Sequence, residues 1–280
     1  MLNGEKFIAD AKASDNIDGD ITDNITASEI DTNSIGEYEV IYTVADSSGN
    51  KDEVIQKIVV KDELSNGLPV LMYHFFYDNV TYWPEDSNWL SVNDFEEQLK
   101  YLTENDYYFP TWDEVENYID GKQKLPEKSV VLTVDDGDAS FFDLAVPILQ
   151  KYKVPATSFV ISEWYGWRYD EKMEYVIFES HSHSMHEAGA NGKGRMVNWS
   201  KDKIIEDLKT SSQTLGGADV FCYPFGHYND TAIEALKEAG YKMAFTIEGG
   251  RVTKGADKYK LPRVRVTAGN SLNYFASSVK

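Results

Sequence analysis

From Leu68 onward, short and almost wholly apolar runs alternate with stretches in which apolar side chains recur every three to four positions. Runs at 68–73, 129–134 and 156–161 have the length and composition of strands buried on both faces. The spacing predicts helices over 92–102, with Asn93 as N-cap, and over 142–151, 201–211 and 231–239. Strands alternating with helices require crossover connections, hence a parallel sheet, and over about 210 residues a closed barrel is the natural solution.

Residues 1–62 follow a different rule. The segment 37–44 alternates polar and apolar side chains, the two-residue period of a half-buried strand. Asp46-Ser47-Ser48-Gly49-Asn50 is a dense turn signal, and 54–60 supplies a second β-branched run. A hairpin alone buries no core, so upstream strands must complete a small sandwich. Asp15, Asp18 and Asp20 miss the spacing of a calcium loop and read as a turn-forming acidic segment. Residues 63–67 form a short polar linker.

A formal net charge of -20 repels phosphate backbones and anionic lipid, which excludes nucleic acid as a partner but tolerates a neutral or cationic polymer. The single cysteine, Cys222, rules out an internal disulfide. No run approaches the length of a membrane span, and Met1 to Lys6 carries no targeting signal, so any such segment is expected to have been trimmed away.

Catalytic groups of an α/β barrel gather at the C-terminal ends of its strands. Three candidate strand ends carry suitable chemistry. Asp135-Asp136-Gly137 follows an apolar run and is either a carboxylate pair or a plain Asp-Gly turn. In 179–186, three of the five histidines of the chain fall within six residues, and imidazole is a common ligand for zinc and similar ions. Tyr223-Pro224-Phe225-Gly226-His227 is a rigid turn able to aim backbone N–H groups into a cleft, or an ordinary loop.

Together these segments resemble the NodB-homology polysaccharide deacetylases of carbohydrate esterase family 4, and more narrowly the branch acting on poly-N-acetylglucosamine. Members of that branch begin with a strand like Val70-Leu71-Met72-Tyr73-His74 and place two ligand histidines five positions apart, as His181 and His186 are. The first 62 residues resemble bacterial immunoglobulin-like surface modules, through Asp18-Gly19-Asp20, Gly36-Glu37-Tyr38, Tyr42-Thr43-Val44 and the Asp46–Asn50 turn, with the first strand missing.

These resemblances imply a distorted (β/α) barrel of about seven strands over 68–280, behind a small all-β sandwich over 1–62. They imply Asp135 as general base and Asp136, His181 and His186 as ligands of one divalent metal, zinc first, with cobalt, nickel or iron as alternatives. The Phe225 N–H would complete the oxyanion hole, Arg263 would orient Asp135, and Tyr223, Pro224 and His74 would line the substrate. His183 matches no ligand position and is expected to point away. Cys222 stands where many members carry arginine, and is expected to be a packed small residue.

One departure concerns the acid. Many members take it from a late Leu-x-x-His motif, yet no histidine follows His227, leaving His74, His183 and His227 as candidates. The expected activity is removal of N-acetyl groups from an amino-sugar polymer, poly-N-acetylglucosamine first, by a monomeric bacterial protein that is secreted or attached to the cell surface. The alternatives are a peptidoglycan or chitin-oligomer deacetylase, or a surface glycan-binding protein of weak activity.

Overall fold

The computed structural model describes residues 1–280 and divides them into two compact units. The first comprises 1–65 with 124–127, and the second 66–123 with 128–280.

In the first unit, β1 (Ser14–Asp15) pairs with β2 (Gly19–Asp20), and β3 (Thr26–Ala27), β4 (Gly36–Ala45) and β5 (Lys51–Val60) form an antiparallel sheet in that order. The β4–β5 hairpin keeps one register from Gly36↔Val60 to Ala45↔Lys51. Its turn is fixed by Asp46, whose Oδ1 accepts from Asn50 N at 2.8 Å. Val40, Tyr42 and Val60 are buried, whereas β5, the outer strand, exposes Val54 and Ile55 together. Clean alternation therefore holds for β4 and fails along β5. The acidic segment spends its carboxylates on local turns: Asp15 accepts from Ile17 N and Asp18 N, Asp20 from Thr22 N, and Asp18 from Ser47 N and Oγ.

The second unit contains β6 (Val70–Tyr73), β7 (Phe75–Tyr77), β8 (Trp89–Ser91), α1 (Val92–Glu104), α2 (Trp112–Ile119), β9 (Val131–Val134), α3 (Val146–Tyr152), β10 (Ala156–Val160) and α4 (Ser162–Tyr165). It continues with β11 (Val176–Ser180), α5 (Lys201–Thr214), β12 (Val220–Cys222), α6 (Asp230–Ala239), β13 (Met243–Gly249), β14 (Leu261–Arg265) and α7 (Leu272–Val279). Seven parallel strands close in the order β10-β11-β12-β13-β14-β6-β9, a (β/α) barrel as the alternation requires. Closure leaves no free edge, so the strands can be as uniformly buried as β6, β9 and β10 are.

Two apolar layers lock the helices to the barrel. Leu99, Leu102, Phe141, Leu149 and Phe275 pack with Leu71 and Val134 on one side, and Ile204, Leu208, Leu236 and Phe221 pack on the other. The N-cap of α1 is Ser91, not Asn93: Ser91 Oγ accepts from Asp94 N at 3.0 Å, and Asn93 lies inside the helix. Helix α2 starts with a reciprocal capping box between Thr111 and Glu114. No helix is long and apolar enough to cross a membrane.

Candidate active site

Three turns leave the C-terminal ends of β9, β11 and β12, and each contains a non-glycine residue in the left-handed region: Asp136 at φ 74, Ser182 at φ 76 and Phe225 at φ 58. Such backbone costs of order 1 kcal/mol per residue, and its recurrence at three strand ends of one barrel marks a site where side-chain direction outweighs local strain. Gly137, at φ 73, follows Asp136 because a Cβ there would meet Val160 at 3.0 Å. The turn after β9 thereby sends its two carboxylates different ways.

Asp135 is directed into the barrel. Arg263 of β14 grips it through two parallel bonds, Nη1 to Oδ1 and Nη2 to Oδ2, both 2.7 Å. The remaining donors of the same guanidinium reach Thr246 O, Thr133 Oγ1 and Cys222 Sγ, so a fully buried cation has every N–H engaged. Burial pushes the Asp135 carboxyl up, but the Arg263 charge outweighs it and holds the group well below the usual carboxylate range. Cys222 is buried as expected of a packed residue, and its Sγ also lies between Arg263 and Asp135, 3.4 Å from Oδ2.

Asp136 faces outward. Its Oδ1 stands 3.4 Å from His181 Nε2 and 3.4 Å from His186 Nε2, and the three ligand atoms lie within 4.8 Å of one another. Two ligands each about 2.0–2.1 Å from a tetrahedral ion are separated by about 3.3–3.4 Å, so the spacing suits a small divalent cation. A backbone carbonyl fixes the orientation of the His181 ring, for Nδ1 bonds Cys222 O at 2.8 Å and leaves Nε2 for Asp136 and its neighbour. Burial first of all lowers the His186 imidazole, to about 4, favouring the neutral form that ligation needs. A second grouping, Asp135 with His181 and Cys222, is similarly compact. There, however, both Asp135 oxygens are already engaged by Arg263.

The three histidines considered as acids lie in different places. His183 turns away from the triad, with Nδ1 3.0 Å from Ser162 Oγ. His227 Nδ1 accepts from Gly194 N at 3.1 Å and ties down the 187–198 loop. His74, at the end of β6, points its Nε2 towards Asp135 Oδ2 at 3.9 Å. Its buried Nδ1 has no hydrogen-bond partner. Burial lowers its pKa despite the nearby carboxylates.

Phe225 is partly exposed and packs at a tilt against His186, with ring centroids 4.3 Å apart. Gly226 follows at φ 68, where a Cβ would collide with Ile247 at 2.4 Å. Tyr223 and Pro224, expected to line the substrate, are buried instead. The Tyr223 hydroxyl donates to Tyr259 O, and its ring stacks on Tyr228, so it serves packing beneath the turn. Two groups near the histidine loop carry no signal in the sequence. Glu179 is buried, accepts from Asp219 N and Val220 N, and is raised by that burial to about 8. Asp207 of α5 is also buried and binds the loop itself.

A family model described as polysaccharide deacetylase matches residues 122–244, and one described as bacterial surface protein, Ig-like domain, matches residues 2–60. A poly-β-1,6-N-acetyl-D-glucosamine N-deacetylase from Staphylococcus aureus is 32% identical over 197 residues, covering 64% of this chain and 68% of the relative. A protein of the same name from Staphylococcus epidermidis is 33% identical over 198 residues, covering 63% and 68%. Among solved structures, IcaB from Ammonifex degensii aligns with a TM-score of 0.64 at 28% identity, covering 77% of this chain and 98% of that one. The Streptococcus pyogenes deacetylase PplD, solved with acetate, has the same fold at a TM-score of 0.66, with 23% identity over 76% and 98% of the two chains.

Proposed function

Because this chain belongs to the polysaccharide deacetylase family, we propose that it hydrolyses the N-acetyl groups of a β-1,6-linked poly-N-acetylglucosamine. The observation that carries this reading is the convergence of Asp136, His181 and His186 within 4.8 Å, beside an Asp135 fixed by Arg263.

Asp136, His181 and His186 would hold the metal, and two imidazoles with one carboxylate favour zinc. A divalent cation bound there would supply Lewis-acid chemistry, polarising the acetamide carbonyl and making a water easier to deprotonate. Asp135, held ionised by Arg263, takes the proton of the water whose oxygen adds to the carbonyl carbon. The Phe225 N–H, at its left-handed turn, donates to the oxygen that becomes negative. The proton that Asp135 takes is the one the departing nitrogen needs, and His74, with Nε2 3.9 Å from Asp135 Oδ2, is the histidine placed to deliver it. The C–N bond breaks, acetate forms, and the sugar leaves as an amine. His74 thus replaces the late histidine that the sequence lacks.

One chain supplies every residue of this scheme, so a monomer suffices. The Ig-like unit and an extracellular polymer together support a secreted or surface-attached protein, with residues 1–62 as spacer, 63–67 as linker and 68–280 as catalytic domain. Acetate release from β-1,6-linked N-acetylglucosamine oligomers tests the proposal. The wild type should release acetate and Asp135→Asn should not; equal release from both removes Asp135 as base. Release from chitin oligomers or peptidoglycan alone would reassign the substrate.

A further inference from the structure

His181 is anchored by strand contacts, its N–H to Val160 O at 3.0 Å and its ring to Cys222 O. His186 lies five residues on, past the left-handed Ser182, and its ring is held by packing against Phe225, His181 and Trp164. The intervening turn is tied to Ser162 through the His183 ring and to Arg195 through the Ser184 carbonyl, and its two adjacent N–H groups are both met by one side chain of α5. The Asp207 carboxylate accepts from His183 N at 2.7 Å, Ser184 N at 2.8 Å and Ser184 Oγ at 2.7 Å.

Asp207 is only 6% exposed, although it lies on a helix whose other acids face solvent. Burying a carboxylate is costly unless its oxygens are satisfied, and here three donors at short range do so. Only an ionised carboxylate accepts on both oxygens while offering no donor, so the residue type matches two adjacent N–H groups. Anchoring α5 is already served by Ile204, Ile205, Leu208 and the Ser211–Ser180 hydroxyl pair.

We propose that Asp207 is a positioning residue for the metal site: by holding both N–H groups midway between His181 and His186, it sets the separation of the two imidazoles. The inference rests on the reading that Asp136, His181 and His186 bind a divalent cation. In the Asn side chain one oxygen becomes an NH2 that opposes an N–H, so the turn must open on that side.

The test titrates Co2+ into the full chain, wild type and Asp207→Asn, following visible absorption, with melting curves taken with and without Co2+. Loss of a group bonded directly to a metal ligand weakens binding by about 10- to 100-fold. Asp207 acts one step further out, through the backbone between two ligands, so a fall of about 10-fold is expected of Asp207→Asn, with an altered absorption band. Its melting temperature without Co2+ should fall, because a buried N–H is left facing an NH2, and the deficit against the wild type should be larger with Co2+ present. Ser184→Ala, which keeps both N–H bonds but loses the hydroxyl bond to Asp207, should weaken Co2+ less than Asp207→Asn does. If Asp207→Asn does not fold, Ser184→Ala should still weaken Co2+ relative to the wild type, and wild-type affinity there would overturn the role. Wild-type Co2+ affinity and spectrum in Asp207→Asn, an equal fall in melting temperature with and without Co2+, or a Ser184→Ala effect as large as that of Asp207→Asn would overturn the positioning role. A wild type that binds no Co2+ overturns the metal triad, and this role with it.

Discussion

Replacing Arg263 with Met separates the two halves of a buried ion pair while roughly preserving side-chain length. The wild-type guanidinium makes five hydrogen bonds, two of them to Asp135 at 2.7 Å, and has no exposed surface. Removing one partner of a buried pair typically costs about 3–5 kcal/mol, because the other charge is left without compensation. Asp135, itself 2% exposed, would be that orphan. The pH dependence should also change sign. In the wild type the folded pKa of Asp135 lies below its unfolded value of 3.8, so its stabilisation is present above that value and is lost as pH falls through the folded pKa. In Arg263→Met burial, the largest cause, is opposed only by the nearby His74 and His181, so the folded pKa should rise above the unfolded one and acidification from neutral pH should relieve the defect. Urea unfolding followed by tryptophan fluorescence, at pH 7 and pH 5, measures both effects. A variant within about 1 kcal/mol of wild type at pH 7, or one whose deficit grows at pH 5, would refute the account of Asp135 as an arginine-compensated buried charge.

Two further outcomes follow from the same geometry. His181→Ala and His186→Ala should each deplete bound metal while His183→Ala retains it; elemental analysis of the purified proteins decides this, and full occupancy without His186 breaks the triad. Glu179 has a folded pKa raised to about 8 from a usual 4.5, so the folded state binds more protons than the unfolded between those values and stability falls as pH rises across them. Glu179→Gln should therefore flatten the decline in melting temperature between pH 5 and pH 8, and an unchanged slope would remove Glu179 as its source.

The barrel was legible because buried parallel strands announce themselves as apolar runs and their crossover helices as periodic ones. The same signal picks out the Asp135-Asp136 doublet and the histidine-rich 179–186 segment near strand ends, while the choice of His181 and His186 over His183 rested on the family resemblance. Arg263 was named as the residue that orients Asp135 through the family resemblance, not from its own stretch of sequence. What failed has physical reasons. Asn93 and Ser91 are both good caps, and only backbone geometry tells which one precedes the first helical residue. Tyr223 looked available two residues before Phe225, yet the turn that exposes Phe225 leaves Tyr223 in the core. Asp207 was invisible because an acid on an amphipathic helix is expected in water; nothing local reveals that two N–H groups from a distant loop await it.

Arg263 bonds atoms on the first, fourth and fifth of the barrel strands that follow β6, counting by sequence: β9, β12 and β13. It belongs to β14, the last of the seven barrel strands in sequence, which pairs with β13 and β6. The guanidinium that keeps Asp135 ionised therefore reaches its partners only when β14 closes the ring between β13 and β6. Hydrolytic competence would then arrive with the final staves, so that an unfinished barrel stays chemically silent.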